Sequence, residues 1–131
     1  MNPHDGHPLL GDSPRCQLCN SILSRCFTLA QNRNGNAGRP MYRCGECRTF
    51  VCFGDMRGVD PENPLCECPT PHPSRAQVAG ERDGQILPRA VYFGCAIGQC
   101  RFFGYVVDDE NEVLTLPEGP LDADELVGMG L

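Results

Sequence analysis

Tryptophan and lysine are absent from this 131-residue chain, and aromatic residues make up only 7% of it. With few aromatics and so short a length, the large core of a typical enzyme domain is excluded. No apolar run approaches the ~20 residues that a membrane-spanning helix needs, so no membrane partner is expected. Gly (15) and Pro (12) together are about a fifth of the residues, which excludes a coiled coil or a collagen and makes long helices unexpected. No Asn-x-Ser/Thr glycosylation acceptor occurs. The segment MNPHDGHPLLGDSPRC has neither the basic nor the apolar region of a signal peptide. The expected location is therefore intracellular, with the nucleus favoured over the cytoplasm.

Cysteine is what the chain has in excess, at 10 residues. A disulfide scaffold would need an oxidising compartment, whereas intracellular thiols point to zinc. The formal net charge of −6 hides a segregation of charge. Residues 15–57 carry seven arginines against Glu46 and Asp55, a net +5, while residues 108–131 carry eight acids and no base. A basic N-terminal module with an acidic tail follows. Two roles are open to the tail: solubilising the protein, or competing intramolecularly for the basic face.

The cysteines fall into two sets. Cys16, Cys19, Cys44 and Cys47 are spaced C-x2-C-x24-C-x2-C, and Cys66, Cys68, Cys95 and Cys100 are spaced C-x-C-x26-C-x4-C. The spacing predicts a leader over 1–13 without regular structure, a first zinc unit over 14–57, a linker over 58–64, a second unit over 65–116 and an acidic tail over 117–131. Short strands are expected at 26–31, 40–44, 49–53, 90–94, 101–107 and 113–116, with a short helix near 121–127. The two units form an internal repeat. Arg39-x-x-Tyr42 parallels Arg89-x-x-Tyr92, Cys47-Arg-x-Phe50 parallels Cys100-Arg-x-Phe103, and Asp55 and Asp108 each follow the last cysteine of their set by eight residues.

Zinc answers a physical need. A unit of about 43 residues buries too little apolar surface to offset its ordering entropy. A structural zinc supplies ~10–16 kcal/mol of binding energy that goes into folding. Two structural Zn2+ ions are therefore expected, each held by four cysteines. Cys26 and Cys52 remain; they read as small buried hydrophobes, with a ligand exchange into the first site as the alternative. His4, His7 and His72 read as exposed loop histidines. Phe50 and Phe103 are expected to fill the small cores beneath the metals.

Asn36-Ala37-Gly38-Arg39-Pro40-Met41-Tyr42-Arg43-Cys44 resembles the N-x-G-R-x-F-Y-x-C core of GRF-type zinc fingers, and Cys100-Arg101-Phe102-Phe103-Gly104-Tyr105 resembles that family's C-x-F-F-x-W ending. The first repeat departs from the pattern with Cys52 at the Trp position, and the second has LPRAVYFGC in place of the Gly-Arg core. The resemblance implies a small all-β fold: two tandem zinc ribbons of short antiparallel strands with little helix. It also implies a non-enzymatic module that binds single-stranded DNA or RNA, as such fingers do beside topoisomerases, abasic endonucleases, glycosylases and helicases. Carried over residue by residue, it makes Arg39, Tyr42, Arg43, Arg48, Arg89, Tyr92 and Arg101 the candidate nucleic-acid contacts. Arginine suits that task because its planar guanidinium stacks on bases and pairs bidentately with phosphate. A ribbon serving as a protein-interaction module is the other reading. Four-thiolate sites leave no open position for a catalytic water, so no enzyme activity is expected.

Overall fold

The computed structural model describes residues 15–81 and 84–131. The leader expected over 1–13, with His4 and His7, lies outside the described residues. Strands β1 (Ser24–Phe27), β2 (Pro40–Cys44) and β3 (Thr49–Phe53) form one antiparallel sheet in the order β1-β2-β3. Strands β4 (Arg75–Val78), β5 (Val91–Gly94) and β6 (Phe103–Tyr105) form a second sheet in the order β4-β5-β6. One short helix, α1 (Ala123–Gly128), follows. The architecture is that of two small all-β ribbons. Strand β4 falls where no strand was expected, and β1 begins two residues earlier than expected.

A bulge decides which side chains of the first sheet face the metal. Tyr42 pairs with Cys52, but the next residue, Arg43, pairs with Phe50, so Val51 has no partner opposite. An extra residue on one strand reverses the alternation of faces. Cys52 therefore turns inward with Tyr42, Leu23 and Cys44, all buried. Phe50 turns outward instead, 45% exposed, with its ring 4.9 Å from that of Phe53. The expectation that Phe50 fills the core is corrected by this bulge. Phe103 is likewise 45% exposed, at the edge of the second sheet.

Beyond β6 the chain stays attached. Asp108 Oδ1 accepts from the N–H groups of Glu110 (2.9 Å) and Glu112 (3.0 Å), closing the DDENE turn. Bridges Val107–Val113 and Ala90–Thr115 then lay residues 113–116 along β5, where Val91 N donates to Leu114 O at 2.8 Å. The helix is capped by Asp122, whose carboxylate accepts from Glu125 N. Leu126 and Leu131 pack with Ala76 and Val91 in a core on one face of the second sheet. The acidic tail is thus docked, and it lies on the face of that sheet opposite to Gln77 and Tyr92.

The two units share one carboxylate. Asp55 accepts from Arg39 of the first unit and from Arg75 of the second, at 2.7 and 3.0 Å. Arg75 is 1% exposed and also donates to the carbonyls of Arg57, Phe53 and Ala96. Between them, Gly58 adopts φ +79°, and a Cβ there would collide with Ala76 O. Only glycine accepts both conditions. Asn63 Nδ2 fastens the linker by donating to the carbonyls of Gly58 and Ser74, both at 2.8 Å.

Candidate metal centres and the groove between the sheets

The thiols of Cys16, Cys19, Cys44 and Cys47 lie within 4.8 Å of one another, and so do those of Cys66, Cys68, Cys95 and Cys100. Sulfurs bound tetrahedrally at ~2.3 Å from zinc stand about 3.8 Å apart. Cys16–Cys47 at 3.9 Å, Cys19–Cys44 at 3.4 Å and Cys68–Cys95 at 3.6 Å approach that spacing. Asn20 (φ 61°) and Arg48 (φ 56°), each just after a C-x2-C pair, take the left-handed conformation that bends the chain back behind its ligands. Backbone N–H groups then point at sulfur: Leu18 to Cys16 (3.4 Å), Cys47 to Cys44 (3.3 Å) and Glu67 to Cys100 (3.3 Å). Such donors stabilise thiolate charge.

The crowded thiols cannot all ionise unaided. Hydrogen bonding with Cys19 and Cys44, together with burial, pushes the Cys47 thiol up to about 12. The Ser21 hydroxyl and backbone bring Cys19 down to about 6. In the second cluster, burial and then the neighbouring Cys95 thiol push Cys68 up. A divalent cation at each centre removes this conflict by taking four thiolates at once. Both clusters fit structural Zn2+, and neither Cys26 nor Cys52 belongs to them. Cys52 is a buried hydrophobe whose thiol is pushed up to about 12, chiefly by burial.

The centres are also joined. Gln17, on the loop between Cys16 and Cys19, donates its Nε2 hydrogens to the carbonyls of Gly98 (2.7 Å) and Cys100 (3.2 Å) on the second centre's closing loop. His72, expected in an exposed loop, is half-buried with Nε2 3.4 Å from Cys66 Sγ.

Residues 13–57 match the family of the GRF-like zinc ribbon domain. That stretch is about a third of the chain and holds the first centre complete; the match stops short of the second. No curated protein and no solved structure matches the chain. Within the matched ribbon, the signature arginine is structural. Arg39 is 7% exposed, donates Nε and Nη2 to the two oxygens of Asp55 (2.8 and 2.7 Å) and Nη1 to Asn36 Oδ1 (3.0 Å), and lies 3.6 Å over the Phe53 ring.

Three of the seven candidate nucleic-acid contacts are therefore interior. Arg39 serves Asp55, Tyr42 is 1% exposed among the core residues, and Arg89 is 2% exposed with Nη2 donating to Glu81 Oε1 and Gly119 O, both at 2.6 Å. The charge of each buried arginine needs a partner, and that partner removes it from the surface. The repeat also breaks here: Asp55 serves Arg39, whereas Asp108 closes its own turn. Arg75 is a structural residue that sequence reasoning missed, and nothing in its local sequence marks it.

Arg43, Arg48 and Arg101 are exposed, and Tyr92 is half-buried. Arg43 and Tyr92 both line a groove of about 450 Å³ between the sheets. Met41, Arg43, Phe50 and Phe53 line it from the first sheet, Gln77 and Tyr92 from the second. Gln31 and Asn32 add amides, and among the described residues no carboxylate lines it. The Tyr92 ring stacks on Phe103 at 5.4 Å, and Phe103 meets Tyr105 edge-on at 4.9 Å. Arg48 and Arg101 do not line this groove.

Proposed function

We propose that this zinc protein binds single-stranded nucleic acid, without catalysing a reaction on it, and that the strand lies in the groove between the two sheets. The observation that carries the reading is the lining of that groove. Among the described residues it combines aromatic rings from both units, one guanidinium and several side-chain amides, with no acidic residue. Unpaired bases stack on aromatic faces for ~1–3 kcal/mol each, and arginine holds the phosphates between them. Arg48 is exposed next to this cation, its carbonyl accepting from Arg43 Nη2 at 3.5 Å. A nuclear location accords with this reading. Among the described residues no helix is long and apolar enough to cross a membrane.

The test is a titration of zinc-saturated protein into a labelled single-stranded oligonucleotide at two salt concentrations, with duplex as control. Binding that prefers the single strand and weakens steeply with salt supports the proposal. Phe50→Ala and Tyr92→Ala should each weaken binding about 5- to 150-fold, as loss of one stacked base requires. Salt-independent binding, or wild-type affinity in both variants, would refute it. The second reading, a protein-interaction module, draws on a different observation. Leu18 (71%), Leu29 (72%), Phe27 (59%) and Ile22 (57%) are exposed on the first unit, while Arg33 and Arg39 form ion pairs with Glu81 and Asp55. Absence of oligonucleotide binding at low salt, from protein holding two zinc ions, would favour that reading.

A further inference from the structure

The second centre has a donor that its cysteine spacing does not reveal. His72 Nε2 lies 3.4 Å from Cys66 Sγ, and its Nδ1 lies 3.2 Å from the carbonyl oxygen of Pro73. A carbonyl can only accept, so Nδ1 carries the hydrogen. In the neutral ring, Nε2 then turns its lone pair to the cluster. This is the polarity of a metal-ligating histidine, whose other nitrogen donates to a carboxylate or a backbone carbonyl. The loop fixes the ring in that place. Cys66 N donates to His72 O at 2.9 Å, Leu65 and Pro73 form a bridge, and Pro71 and Pro73 flank the histidine. Proline on either side restricts the backbone from which the imidazole projects. Among the described residues, the first centre has no histidine beside it.

We propose that His72 is a reserve ligand of the second zinc centre, able to take the coordination position of Cys66. Both zinc-bound imidazole and zinc-bound thiolate complete tetrahedral structural sites, so a set of three thiolates and one imidazole replaces a set of four thiolates without a change of geometry. The exchange is specific to one sulfur. Cys66 Sγ is the thiol in contact with the ring, whereas the contact given for Cys68 Sγ is with Cys95 Sγ at 3.6 Å. The second centre then keeps its metal when one particular thiolate is lost.

The test uses the full chain and cobalt(II) as a spectroscopic stand-in for zinc. Cys66→Ala should still bind two cobalt ions. One of them should lose sulfur-to-metal charge-transfer intensity and show ligand-field bands moved to shorter wavelength, as nitrogen replaces sulfur. Adding His72→Ala to that variant should weaken the second ion by about tenfold or more. Cys68→Ala, with no imidazole at hand, should weaken it as much without any second substitution. The first centre's unchanged four-sulfur spectrum reports that the chain is folded in each case. Should Cys66→Ala lose the second sheet by circular dichroism, Cys66→Ser is read in its place. Equal cobalt binding by the single and double variants, or a Cys66 variant that holds only the first ion, would overturn the proposal.

Discussion

Replacing Asp55 by Asn removes one negative charge and almost no volume. In the native protein that charge faces Arg39, 7% exposed, and Arg75, 1% exposed, through hydrogen bonds of 2.7 to 3.0 Å. The variant leaves two buried guanidinium groups facing a neutral amide. Breaking a buried pair on one side costs about 3–5 kcal/mol. The carboxylate is 24% exposed, so water reaches part of it, and the Asn oxygen still accepts one hydrogen bond. An expectation of about 2–4 kcal/mol follows, a large part of the ~5–15 kcal/mol that holds a domain folded. In urea denaturation of zinc-saturated protein, with a slope of about 2 kcal/mol per molar, the midpoint should fall by about 1–2 M. The effect depends on pH. Burial pushes the Asp55 carboxyl up, but the Arg39 hydrogen bonds and the Arg39 and Arg75 charges outweigh it and hold it below the ordinary value of 3.8. A carboxylate lowered in the folded state contributes fully above its unfolded value and loses that contribution as pH falls through the folded one. The gap between wild type and Asp55→Asn should therefore be constant near neutrality and close below about pH 4. Asp108→Asn, at the matching position of the second unit, should stay within about 1 kcal/mol, because Asp108 only closes a turn. If Asp55→Asn lost less than about 0.5 kcal/mol at pH 7, the shared carboxylate would be an ordinary surface ion pair, and this account of how the units are joined would be wrong.

Further outcomes follow from the packing. Gly58→Ala should destabilise by about 2 kcal/mol or more, since it combines a positive φ with a Cβ driven into Ala76 O; Gly38→Ala, at φ +76° with nothing within 4 Å, should cost only about 1 kcal/mol, both read from thermal melts. Leu126→Ala should cost about 2–4 kcal/mol, and deleting residues 117–131 should unfold the second sheet rather than raise affinity for an oligonucleotide; a gain in affinity with the fold intact would restore the competing role of the tail.

The metal centres were legible because ligand spacing is a local property. Eight cysteines in two sets fixed both quartets, and the strands β2 and β3 fell where the apolar residues put them. Long-range features were not legible in the same way. The bulge at Val51 depends on pairing with β2, and it alone carries Phe50 out of the core. The burial of Arg39 and Arg89 depends on Asp55 and Glu81, which lie 16 and 8 residues away. The groove needs both sheets, so neither repeat announces it. One distinction was present in the spacing all the same. Tyr42 stands two residues before Cys44 and shares its face, whereas Tyr92 stands three before Cys95 and takes the other. Strand alternation therefore sends the first ring inward and the second into the groove.

Gln17 couples the loading of the two metal centres. It sits on the loop of the first centre, yet its amide closes the loop of the second through Gly98 and Cys100. Ordering one loop thus removes part of the entropy that ordering the other would cost. Such linkage is reciprocal, so an ion at either centre tightens the ion at its neighbour. A chain made from its N-terminus completes the first four ligands by Cys47, before Cys66 has been synthesised. The filled first centre then stands ready as the template on which the last cysteines close, and a second unit made alone has to close its loop without that amide.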